Sequence, residues 1–160
     1  MSQKISPAAR LLQWWDRLKN RPGGVMLFGR VLASAIPYTG TIKPRILTVE
    51  PGHAVVRMRD RRAVRNHLRS VHALALANLG ELTTGLAMTA SLPADVRSIL
   101  TALHVEFKKK ARGTLTAECR CSVPRVTESV DYNVTGEVRD LEGDVVAIIT
   151  ATWRLSPSVS

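Results

Sequence analysis

One carboxylate stands alone in a long apolar run. From Ala73 to Ala94 the chain reads ALALANLGELTTGLAMTASLPA, and Glu81 is its single ionisable side chain. A buried ionised carboxylate costs several kcal/mol unless it is paired, hydrogen-bonded or protonated. A carboxyl kept in such a place is suited to moving a proton. Just upstream, Asn66-His67-Leu68-Arg69-Ser70-Val71-His72 puts an amide and two imidazoles near the start of the same predicted helix. Together these residues point to an active site. Read by itself, Glu81 fits equally well a structural carboxylate bound to Asn66 or to a backbone donor. His53, His67 and His104 read as surface, strand or structural histidines. Asn78 reads as a polar contact within the helix, and Asp95 as part of the turn after Pro93.

The elements that must hold this segment follow from local patterning. Ser6 and Pro7 predict a helix start, with Leu11, Leu12, Trp14, Trp15 and Leu18 at helical spacing and Arg21-Pro22-Gly23-Gly24 as the stop. Val25–Ile36 predicts a second apolar helix ended by Pro37. Residues 41–50 and 53–60 flank Pro51-Gly52 and predict a hairpin. After the long helix, strands are expected over 99–107, 114–123, 129–139 and 144–155, read as a four-stranded meander. One face of a sheet of about six antiparallel strands needs a cover. The Ala/Gly-rich long helix is the element available to supply it. The expected class is α+β: the hotdog fold, a curved sheet wrapped round one central helix. Residues 1–38 form an N-terminal helical cover, and residues 39–156 form the hotdog domain.

Composition narrows the partners. A chain of 160 residues is one domain by length, and its 45% apolar and 22% charged residues are those of a globular protein. No stretch reads as a membrane span, and MSQKISPAAR lacks a secretory pattern, so cytoplasm is the expected compartment. Cys119 and Cys121 share a strand face and read as core residues. No metal site is expected. The net charge of +10 is clustered at Arg57–Arg69 and at Lys108, Lys109, Lys110 and Arg112. Nucleic acid is the generic reading of such patches. Three Trp, two Tyr and two Phe, none interleaved with the basic segments, leave no stacking platform, so nucleic acid is not expected. A phosphorylated small molecule, such as the nucleotide end of coenzyme A, would be drawn to the same charges.

Asn66, then His72-Ala73 six residues on, then Glu81 resembles the signature of hotdog-fold acyl-CoA thioesterases of the PaaI type. The resemblance covers roughly residues 40–155, and residues 35–38 (Ala-Ile-Pro-Tyr) resemble a bacterial branch known as a domain of unknown function. It implies hydrolysis of an acyl-CoA or acyl-carrier thioester to free acid and thiol. Glu81 would be general base or nucleophile, and the backbone N–H of Ala73 the oxyanion donor. Asn66 would orient water or the carboxylate, His72 would shape the oxyanion turn, and Thr101, with Ser98 behind it, would assist from the following strand. Lys108, Lys109, Lys110 and Arg112 would meet the phosphates of coenzyme A. No cofactor is implied beyond coenzyme A as part of the substrate. The implied assembly is a homodimer joined edge to edge, or a homotetramer of such dimers. Two departures stand out: Ala73 replaces the usual Gly, and Glu replaces Asp. The competing readings are a non-catalytic module that binds acyl-CoA or acyl chains, and a dehydratase or hydratase built on His67 and Glu81.

Overall fold

The protein is described by a computed structural model over residues 6–158. The chain runs α1 (Pro7–Leu18), α2 (Gly24–Ala35), a short α3 (Pro37–Gly40), β1 (Arg45–Glu50), β2 (His53–Met58), α4 (Ala73–Thr89), β3 (Val96–Phe107), β4 (Leu115–Arg120), β5 (Val130–Arg139) and β6 (Val145–Pro157). The strands make one antiparallel sheet in the order β1-β2-β4-β5-β6-β3.

The long helix covers the sheet as its composition dictates. Leu79, Ala87 and Met88 are fully buried on it, against Val56, Met58, Leu115, Val138 and Ile149 of the strands. Each large side chain so buried contributes about 1.5–3 kcal/mol. Close approach depends on Gly80: a Cβ there would sit 2.3 Å from Cγ1 of Ile149 on β6. Thr83 and Thr84, also buried, return their hydroxyls to the helix at Leu79 O and Gly80 O.

The N-terminal cover begins as its caps predict. Ser6 accepts from the Ala9 N–H at 3.1 Å, and Pro7 follows at the first helical position. Trp15 and Phe28 meet edge to face, with centroids 5.2 Å apart, and join the core. α2 packs on β1. Gly24 is required at its start, because a Cβ would lie 1.8 Å from Leu18 O.

One expectation is corrected. The four strands after the helix are not a meander: β4, β5 and β6 are consecutive neighbours, but β3 crosses to the far edge and pairs with β6 over Val96–Pro157 to Phe107–Ala147. Alternation assigns a residue to a face and says nothing about which strand lies beside it. β3 is thus an edge strand, and Ile99, Leu103 and Phe107 are exposed at 65%, 37% and 54%.

Candidate active site

The loop from β2 to α4 is built to present the helix N-terminus. Asn66 organises it: its Oδ1 accepts from Leu68 N (2.9 Å), Ser70 N (3.2 Å) and Ser70 Oγ (3.1 Å). Arg65 and Val71 form a bridge, His72 N donates to Val64 O, and Val71 N donates to Ala111 O. Asp60 anchors the same loop. Burial pushes its carboxyl up, but hydrogen bonds from Arg65 and the Gly113 N–H outweigh this and hold it below the ordinary range.

His72 is the N-cap of α4, and its Nδ1 accepts from Leu74 N at 3.1 Å. That bond assigns the ring proton to Nε2. Ala73 is the first helical residue. Its N–H has no acceptor among the described residues, while the Ala75 and Leu76 amides already bond to His72 O. A free N–H at the positive end of a helix of 17 residues is a ready oxyanion donor. The departure from Gly at this position is harmless here. The left-handed residue of the turn is Arg69 (φ 56), not Ala73.

Glu81 is half-buried, its carboxylate makes no ion pair or hydrogen bond among the described residues, and burial pushes it above the ordinary range. It lies one turn before Gly85, whose Cα faces the Trp153 ring on β6, so it looks toward the β6–β3 side of the molecule. On that side the helix leaves Leu74 62% exposed, and the sheet leaves Leu103 and Phe107 open. Glu81 thus faces a side of the molecule, the trough, on which the exposed side chains Leu74, Leu103 and Phe107 are apolar.

Asn66, His72 and Ala73 are brought together by the loop. Glu81 is not: eight residues along a helix put it about 12 Å down the axis from Ala73. Thr101 stands exposed on β3 at a bulge between Leu100 and Ala102, its hydroxyl donating to Thr152 O at 3.1 Å. Of the basic group, Lys108 is paired with Glu106, and Lys109 with Asp140 and Asp144, each at 2.7 Å. These pairs push the Lys109 ammonium well up and tie it to the β5–β6 turn. Lys110 and Arg112 are exposed and in no ion pair among the described residues. Sequence reasoning missed Trp153 as a site residue. Its Nε1–H is buried without a partner beside the trough. The alternation of β6 placed it on the inner face but carried no sign of the orphan donor. No group of His, Cys, Asp and Glu among the described residues could hold a metal ion, and no described helix is long and apolar enough to cross a membrane.

Comparison with known proteins gives three kinds of result. No curated protein matches the chain. Solved structures do. One structural-genomics protein is 28% identical with a TM-score of 0.81, over 94% of this chain and 100% of that one. A Pseudomonas aeruginosa protein of unknown function, described as a probable thioesterase, is 25% identical with a TM-score of 0.73, over 82% and 95%. A mutant of the phenylacetic acid degradation protein PaaI from Thermus thermophilus is 20% identical with a TM-score of 0.63, over 74% and 97%, and so shares the fold. The fold is therefore the hotdog fold of PaaI-like thioesterases. The family profile of a domain of unknown function, DUF4442, matches residues 24–155. The chain belongs to the DUF4442 family.

Proposed function

We propose that this protein hydrolyses acyl thioesters at a site shared between two copies of the chain. The observation that carries the reading is the pair on α4: an unbonded Ala73 N–H at the helix start, and an unpartnered, desolvated carboxyl at Glu81. The carbonyl oxygen of the thioester sits on the Ala73 N–H, with His72 fixing that turn. Glu81 takes a proton from water as the water oxygen attacks the carbonyl carbon. The tetrahedral intermediate then expels the thiolate as the C–S bond breaks. Protonated Glu81 returns its proton to the sulfur, and acid and thiol leave. The raised pKa of Glu81 makes it a stronger base once ionised, and activity rises with pH as it deprotonates.

About 12 Å of helix separates the two groups within one chain, too far for both to reach one carbonyl. Two chains related by a two-fold axis remove that gap, because the Ala73 of one can then meet the Glu81 of the other. The bare β3 edge, with Leu103 and Phe107 open beside the trough, supports that assembly. Thr101, exposed on the same edge, would face the neighbouring copy in that assembly.

The test is thiol release from a panel of short, long and aryl acyl-CoAs by the wild type and by Glu81→Gln. Loss of turnover by about 10²–10⁴-fold, with acyl-CoA binding retained, is expected for removal of a general base. Tight binding with no turnover by either protein would instead support the non-catalytic module.

A further inference from the structure

A groove of ≈ 1120 Å³ runs between α2 and the outer face of β1 and β2, the face turned away from α4. Its cations are Arg45 and Arg57 from the strands, Arg59 just past β2, and Arg21 and Arg30 from the helical cover, closed by Lys43 and Arg61. No carboxylate of the described residues lines it. None of these seven side chains is in an ion pair among the described residues. The arrangement works against stability in two places. Arg45 and Arg57 are direct cross-strand partners, where like charges repel. Lys43 is held at φ 49, a left-handed conformation unfavourable for a side-chain-bearing residue.

The occupant must be anionic, which excludes a second copy of this +10 chain docking face to face. It must also meet apolar surface, because Met26 (61% exposed) and Leu141 (74%) stand on the walls. No aromatic among the described residues lines the groove, so stacked bases find no platform. The cations lie in a concavity rather than on a protruding surface, unlike a membrane-docking face. Seven unpaired cations in this volume exceed what the phosphates of one nucleotide neutralise. An acidic amphipathic helix meets every one of these conditions.

The groove is also close to the reaction. Arg61 is three residues from Val64, whose carbonyl accepts from His72 N, so its Cα lies within about 16 Å of the α4 N-cap. An arginine side chain and an extended pantetheine arm together span that distance. We propose, resting on the thioesterase reading above, that the groove docks an acidic carrier protein that presents the acyl group on a pantetheine thiol.

The experiment compares one acyl group, chosen by the coenzyme A panel, on an acidic acyl carrier protein, on coenzyme A and on free pantetheine. It uses wild type, Arg45→Glu/Arg57→Glu and, should that variant not fold, Arg57→Gln/Arg59→Gln. The wild type should show at least a tenfold higher kcat/KM with the carrier-linked substrate, falling steeply with salt. The variants should lose that advantage through KM while acyl-pantetheine turnover is unchanged. An equal loss with acyl-CoA would make the groove a nucleotide site, and no loss on any substrate would leave it without a substrate role; either overturns the proposal. Titration with the unacylated carrier protein separates the two readings. Binding lost on charge reversal supports the groove even if no thioester turns over. Binding of phosphatidylglycerol vesicles or single-stranded DNA, with none of the carrier protein, contradicts it.

Discussion

The two edges of the sheet are finished in opposite ways. β1 is short, at six residues, and is covered by α2, with Trp15 and Phe28 packed into the core behind it. β3 has 12 residues, no described strand pairs with its outer side, and its apolar side chains Ile99, Leu103 and Phe107 are open. An edge strand left bare pairs with another chain unless something prevents it. The β1 edge is sealed by helices and its surroundings carry positive charge, so it repels a like copy. The β3 edge carries the trough and Thr101, so a second copy there would complete the proposed site. In the proposed assembly the β1 boundary stays free of the second copy and the β3 boundary receives it, and the carboxyl lies on the β3 side.

This contrast can be broken most severely at β3. Leu103→Glu puts a charge into the trough wall beside the bare edge. It is expected to convert the protein to monomers by sedimentation and to remove thioester turnover, with the far-ultraviolet spectrum of the monomer kept. Persistence of a dimer with full turnover would relocate the interface. A smaller effect is expected in the interior common to both edges. Gly80→Ala drives a Cβ into Ile149 and should destabilise the fold by about 1–3 kcal/mol in urea titration. An unchanged midpoint would mean that α4 sits farther from β6.

The smallest effect concerns Glu81 and stability. Burial raises its pKa in the folded protein above the ordinary value of 4.5, so the folded state holds the proton more tightly than the unfolded chain. The stability it contributes is complete below the unfolded pKa and is lost as pH rises through the raised folded pKa. Glu81→Gln should therefore melt slightly higher than the wild type at neutral pH, and the difference should vanish in mild acid. A variant that melts lower at neutral pH would show that the carboxylate has a stabilising partner.

Much of this was legible in the residues. The buried helix, its lone carboxyl and the inward faces of β4 and β6 follow from spacing alone, because Leu115, Ala117 and Cys119 alternate as a one-sided strand must. The Asn66–His72–Ala73 turn was visible through its resemblance to a known signature. What escaped depends on contacts between distant segments. Pattern could not put β3 beside β6. The ion pairs of Lys109 were not visible in the sequence, because Asp140 and Asp144 lie more than thirty residues on. The groove gathers Arg21, Arg30, Arg45 and Arg57 from four stretches of chain, of which the sequence marked only Arg57 as part of a basic cluster, Arg57–Arg69.

The shared site is tested most directly by mixing two inactive variants. Ala73→Pro removes the oxyanion N–H at the one helical position where proline is favoured, and His72 already has the extended ψ of 143 that a following proline needs. Glu81→Gln removes the base. Each alone should release thiol at least about a hundredfold more slowly than the wild type. Refolded together in equal amounts, half the dimers pair one chain of each kind, and each such dimer has one intact site of two. Activity should return to about one quarter of wild type. Confirmed mixed dimers that release no thiol would contradict a site built from the Ala73 of one chain and the Glu81 of the other.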